Sequence, residues 1–96
     1  ATEVPLETMK TSFRVFELCR QMVAEGNPNS VSDAGVGALA ARAAVIGAGM
    51  NVKINASSLK DREKAEALIA EANALVEKAN AEEKEITATV EQMISK

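Results

Sequence analysis

Residues 30–55 read SVSDAGVGALAARAAVIGAGMNVKIN. Ser30 followed at the fourth position by Asp33 has the spacing of a capping box, in which side chains satisfy the free N–H groups of a helix's first turn. Alanine, the strongest helix former, recurs from there on with no proline to stop it. The reading is a helix from about Val31 to about Asn55, broken near Ser57-Ser58, where short polar side chains compete with the backbone. Its glycines suit close approach by neighbouring helices.

Outward from that helix the punctuation is clear. Gly26-Asn27-Pro28-Asn29-Ser30 reads as a turn. Before it, a helix is expected from Pro5, whose fixed φ suits a first turn, to Glu25, where Gly26 supplies a left-handed stop. Leu6, Met9, Phe13, Phe16 and Val23 form one apolar stripe of that helix. Val15, Leu18 and Met22 form a second, which predicts two packing partners. After it, Ser58 and Asp61 repeat the capping spacing, and from Leu59 to the end there is neither glycine nor proline. One long helix over about 59–95 follows, with Ala65, Leu68, Ala72, Leu75, Ala79, Ile86 and Met93 on a seven-residue repeat that Glu82 and Thr89 interrupt. NVKIN, residues 51–55, alternates as a strand would but has nothing to pair with. The fold class is all-α: a bundle of about three helices, the last one long, completed by a second copy or by a missing half.

Composition narrows the chemistry. The 96 residues are 47% hydrophobic, 26% charged and carry a net charge of −3, so one domain or part of one is present and a general affinity for nucleic-acid phosphates is not expected. With two Phe and no Trp or Tyr there is no base-stacking platform. With no His and one Cys there is no zinc cluster, no Ser-His-Asp or Cys-His pair and no intrachain disulfide, so no metal site is expected. Cys19 reads as a small buried hydrophobe, and a lone thiol fits a reducing compartment. The beginning, ATEVPLETMK, lacks the basic start and apolar run of a signal peptide, so a cytoplasmic location is expected. Ala34–Met50 carries Arg42 and four glycines and reads as too short and too weakly apolar for a membrane span, so no membrane partner is expected.

At 100° per residue, Asp33 and Asn51 point the same way, about 27 Å apart along the axis. Between them the stripe reads Gly37, Ala40, Ala44, Gly47, a smooth groove floor with a polar group at each end. Arg42 and Lys53 lie near the opposite direction. The plain alternatives are a capping role for Asp33, turn formation for Asn27 and Asn29, an acidic partner for Arg42 and a solvated helix-end cation in Lys53. GVG and GAG, residues 35–37 and 47–49, are not phosphate loops, because neither is G-x-G-x-x-G after a strand.

The run from Gly26 to Asn55, with GNPNS, SDAGVGA and NVKIN in that order and V-P-L at residues 4–6, resembles the formiminotransferase-cyclodeaminase family, and within it the cyclodeaminase/methenyltetrahydrofolate cyclohydrolase domain. The resemblance covers nearly the whole chain. It implies an all-helical dimeric enzyme that acts on a tetrahydrofolate derivative, with no cofactor beyond that substrate. It would either expel ammonia from the 5-formimino form or add water to the 5,10-methenyl form. It also implies a domain about twice this length, within the range usual for one domain, with a proline-glycine-rich turn in its first half. No such turn occurs here, so residues 1–96 are expected to be the carboxy-terminal half, and starting at Ala1 fits a cut or a processed initiator methionine. Asp33, the carboxylate of the matched run, is then the candidate proton-handling residue. Asn27, Asn29, Ser30 and Ser32 would hold it or contact substrate. Arg42 or Lys53 would meet the anionic glutamate tail of a folate, and Asn51 and Asn55 would form a second polar cluster. The alternative from a different class is a helical dimerisation or interaction module without catalysis.

Overall fold

The computed structural model describes residues 3–95; Ala1, Thr2 and Lys96, the ends of the expected 1–96 domain, lie outside the described residues. Three helices follow in order: α1 Glu3–Glu25, α2 Pro28–Ser57 and α3 Arg62–Ile94. Among the described residues there is no strand, and residues 51–55 are helical. The all-α expectation therefore holds. The molecule is long and flat, 54 × 18 × 15 Å, with α2 packed against both α1 and α3 while α1 and α3 touch each other less.

The helix ends differ from the sequence reading in an instructive way. Gly26 takes φ 74° and ends α1 as expected. Asn27, not Ser30, caps α2: its side-chain oxygen accepts from the Asn29 N–H at 2.9 Å, and Pro28 opens the helix. The stretch read as a turn is thus only two residues long, and the Ser30/Asp33 capping box does not form, because both residues already lie inside the helix. Pro28 needs no N–H partner at the first position, which makes the earlier start the cheaper one. Likewise Asp61 itself caps α3, accepting from Lys64 N–H at 3.1 Å, and α3 begins at Arg62 and not at Leu59. Ser58 instead closes α2, its hydroxyl donating to the Asn55 carbonyl at 2.8 Å. α1 starts at Glu3, so Pro5 sits within its first turn.

The core is built from small side chains on α2 and larger ones around it. Val31, Ala34, Ala38, Ala41, Val45, Ala48, Val52 and Ala56 are buried along one side of α2. Met9, Phe16 and Cys19 of α1 and Ala72, Ala79, Ile86 and Val90 of α3 close over it. The first apolar stripe of α1 is this contact, with Leu6, Phe13 and Val23 packed at its edge. Of the second stripe only Met22 joins the core, whereas Val15 and Leu18 are exposed, and nothing among the described residues covers them. The seven-residue repeat of α3 faces inward as read, and its break at Glu82 is an ion pair with Arg20 of α1. Thr89 is exposed, its hydroxyl donating to the Glu85 carbonyl.

Three glycines, Gly35, Gly37 and Gly49, set how closely the helices approach. A Cβ on Gly35 would lie 3.1 Å from Val90 Cγ1, and one on Gly49 would lie 3.1 Å from Met9 Cε. α2 is also longer than Ala34–Met50: by length and composition it could cross a membrane, with a window of mean hydropathy 1.3, of which 39% is buried between α1 and α3. Length therefore does not set it apart from a spanning helix, contrary to the sequence reading.

The cap assignment has a direct consequence. Asn27→Ala should cost about 1 kcal/mol in urea unfolding, within the ~0.5–2 kcal/mol range for lost caps. Ser30→Ala should change stability by less than about 0.5 kcal/mol; equal losses at both positions would restore Ser30 as the cap.

Candidate functional site

The candidate residues separate into three groups along α2. At its start, Asn27 is committed to the cap, and Asn29 supplies the N–H that it accepts. Neither holds Asp33. Ser30 is half-buried, while Ser32 and Asp33 are exposed on the second turn. At its end, Asn51 and Lys53 are exposed, and Asn55 is half-buried with an interaction of its own. Arg42 stands apart, near mid-helix on the side facing α3.

Asp33, Ala40, Ala44, Gly47 and Asn51 are all exposed, and Gly37 is half-buried, where a Cβ would lie 3.0 Å from Cys19 Sγ. A Cβ on Gly47 would meet nothing within 4 Å. From Ala40 to Gly47 the small-residue stripe is open, with Asp33 and Asn51 exposed beyond its ends, whereas Gly37 closes against Cys19; among the described residues nothing roofs the open part.

Arg42 has the acidic and amide partners expected of a half-buried guanidinium. Its Nε donates to Asn80 Oδ1 at 2.7 Å and its Nη1 lies 3.9 Å from Glu83 Oε1. Thr87 Oγ1 lies 3.2 Å from Glu83 Oε2 and 2.8 Å from the Glu83 carbonyl. This network ties α2 to α3 through the Nε and one Nη of Arg42, whose side chain stays partly exposed. Asn80, Glu83 and Thr87 lie outside the run that drew attention in the sequence. Their only signal there is their place three and four residues apart on one side of a helix.

Two shallow hollows meet where the start of α2 passes the end of α3. One, of ≈450 Å³, is bounded by Gly26, Pro28, Val31, Ser32, Met93 and Ile94. The other, of ≈430 Å³, includes Gly35, Val36, Leu39, Thr87 and Val90, and shares Ser32 and Ile94 with the first. Ser32 is the one predicted site residue that both contain; Asp33, next to it in sequence, turns toward the open stripe. Among the described residues there is no cluster of His, Cys, Asp or Glu able to hold a metal ion.

Cys19 is buried under α2, and loss of water around it pushes its thiol above the ordinary value, with the Arg20 charge opposing more weakly.

What this geometry defines is a class: an all-helical layer whose middle helix buries one side between its neighbours and leaves a face of small residues exposed. The chain belongs to the formiminotransferase-cyclodeaminase family, whose profile matches residues 1–74. It is 37% identical over 95 residues to the methenyltetrahydrofolate cyclohydrolase of Methylorubrum extorquens, an alignment covering 99% of this chain and 46% of that relative. The chain thus spans about half the length of the curated relative it matches.

Two measurements follow. Cys19 should react with iodoacetamide at least about 100-fold more slowly in the folded chain than in urea, because the reactive thiolate is suppressed and shielded. Since the folded thiol titrates above its unfolded value, its contribution to stability is complete below the unfolded pKa. It is lost as pH rises through the folded one, so the urea midpoint should fall above pH 9 by an amount that Cys19→Ala removes.

Proposed function

We propose that this chain is part of a helical domain that works on the one-carbon unit of a tetrahydrofolate derivative, by hydrolysis of the 5,10-methenyl form or deamination of the 5-formimino form. The observation that carries this reading is the open stripe of α2, where a carboxylate stands on a floor of alanine and glycine small enough for a flat pterin to lie against it. Family membership supplies the substrate class. The similarity to a methenyltetrahydrofolate cyclohydrolase favours the cyclohydrolase reaction over the deamination.

In the cyclohydrolase direction a water oxygen bonds to the cationic methenyl carbon, and Asp33 accepts one of its protons as it attacks. The tetrahedral carbon then sheds one ring nitrogen, which takes up a proton, and a formyl group remains on the other. Deamination uses the same carbon: the second nitrogen attacks it, and ammonia leaves once it has been protonated. In both cases one positioned carboxylate moves a proton beside a cationic carbon whose charge it also steadies. Asn51, Asn55 and Ser32 are the proposed polar contacts of the substrate, and Lys53 is proposed for its glutamate tail, in preference to Arg42, whose donors face Asn80 and Glu83. Asn27, Asn29 and Ser30 shape the loop and first turn.

The same proposal includes a cytosolic setting, no cofactor beyond the folate, and the place of these residues as the carboxy-terminal half of a longer helical domain. It also includes association, with a second copy or with the missing half. The exposed Val36, Leu39, Met50 and Ile54 favour the other reading, an interaction module without catalysis.

In the full-length protein, Asp33→Asn should lower hydrolysis of 5,10-methenyltetrahydrofolate, followed by loss of its near-ultraviolet absorbance, by about 10²–10⁴-fold, with unchanged helix content by circular dichroism. Wild-type turnover in that variant removes Asp33 from the mechanism, and absence of any folate turnover or binding in the parent protein favours the interaction module.

A further inference from the structure

Along α3, Asn80, Glu83, Thr87 and Glu91 follow one another three and four residues apart, one row on the flank beside α2. The first three serve the network around Arg42. Glu91 does not. Among the described residues no hydrogen bond or ion pair engages its carboxylate, whereas Glu71, Glu82 and Glu83 of the same helix each meet a cation. It stands instead at the hollow shared by the start of α2 and the end of α3, and it is the one charged residue among those that bound the two adjoining hollows.

The hollow offers acceptors on apolar walls, Val31, Leu39, Val90 and Met93 among them. The Thr87 hydroxyl directs its proton within α3, to the Glu83 carbonyl at 2.8 Å, which leaves its oxygen to accept. Ser32, on the α2 side, has no side-chain hydrogen bond among the described residues, so its hydroxyl can donate or accept. With no cation on its walls and one free carboxylate, the hollow repels anions. The ligand that fits it has flat apolar faces and two N–H donors side by side on one edge, since a carboxylate takes two parallel N–H donors as it takes those of a guanidinium. The 2-amino-4-oxopyrimidine ring of a pterin has that edge, formed by its 2-amino group and the adjacent ring N–H.

We propose that this hollow receives the pyrimidine ring of the folate and that Glu91 determines specificity by pairing with the 2-amino group and the ring N–H beside it. The assignment rests on the proposed function, and it adds the group that recognises the pterin to the site where Asp33 handles the proton. Helix geometry connects the two. Ser32 and Asp33 point about 100° apart, which sets their side chains about 8 Å from each other across the surface of a helix. Val36 lies between them in direction, one turn on, and keeps 65% of its surface exposed. A fused two-ring system laid over Val36 has its pyrimidine edge in the hollow and its one-carbon end toward Asp33. The exposed Val36 and Leu39 are then the apolar plate that the ring covers. Glu91 exchanges no proton in this arrangement, so it holds substrate and transition state alike and acts on KM and not on kcat.

The pair is tested by removing it from either side, in the full-length protein. Glu91→Gln offers one acceptor where the edge needs two. At this exposed position, with helix content checked by circular dichroism, it should weaken binding of 5-formyltetrahydrofolate in calorimetric titration by about 10–100-fold. The KM for 5,10-methenyltetrahydrofolate should rise by a similar factor, with kcat changed less than about 3-fold. An analogue of 5-formyltetrahydrofolate with hydrogen in place of the 2-amino group should bind the parent as weakly as the natural compound binds Glu91→Gln, and that variant should scarcely distinguish the two. Asp33→Asn should keep the parent's full preference for the 2-amino compound, which separates recognition from proton transfer. Parent-like affinity in Glu91→Gln, a variant that discriminates between the two compounds as the parent does, or a loss confined to kcat overturns the role of Glu91 and leaves the proposed function standing. A parent that binds neither compound overturns both.

Discussion

Everything in this fold depends on how little α2 carries. Its buried side is alanine, glycine and valine, so α1 and α3 approach its backbone closely enough that a single added methyl at Gly35 or Gly49 would crowd Val90 or Met9. Dispersion falls off steeply with separation, and a slim middle helix lets the larger side chains of its neighbours, Phe16 and Met9 from one side and Ile86 and Val90 from the other, reach a common core. A bulkier α2 would push the outer helices apart and leave their apolar stripes without a partner. The Arg20–Glu82 pair belongs to the same arrangement: it bridges α1 and α3 directly at the core position that interrupts the repeat of α3.

The economy has a cost in area. Alanine buries little, and a chain of 96 residues has a high ratio of surface to volume. The polar ties between helices matter more in such a layer than they would around a large core. Arg42 is the clearest case: it rises from a helix of small residues and reaches α3 through Asn80 and Glu83. The cation of Lys78 stands over the Phe13 ring at 4.8 Å, a further tie of α3 to α1 beside the Arg20–Glu82 pair.

Much of this was legible in the residues, and the failures share a cause. Helix number, order and the inward face of α3 followed from periodicity and from Gly26, whose left-handed backbone is the stop that its residue type suggests. The caps did not, because Ser-x-x-Asp spacing marks two residues that can satisfy a helix start without saying whether the helix has already begun; Pro28 and Asn27 offered an earlier and better start. The faces of α2 were harder still. Alanine and glycine lie all round it, so no contrast of polarity says which side is core, and only the positions of the larger helices resolve it. The second stripe of α1 misled for the opposite reason: Val15 and Leu18 are apolar enough to predict burial, yet nothing among the described residues covers them.

For the candidate site the same physics separates what the residues say from what they leave open. A carboxylate that capped α2 would be explained by the fold, and Asn27 removes that explanation for Asp33. A carboxylate in the core would need a partner, as Glu83 has one in Arg42; Asp33 is instead exposed at one end of a floor that is itself exposed. Water is a poor reason to keep Ala40, Ala43, Ala44 and Gly47 together on one face, since glycine in a helix interior costs about 1 kcal/mol against alanine, and polar residues would serve solubility better. Small residues in a row make sense where another body comes close, and a carboxylate beside that row makes sense where the approaching body, or what is held beneath it, exchanges a proton. The open face of α2 and the position of Asp33 are therefore one feature: each lacks a structural reason within this chain, and a second surface would supply the reason for both.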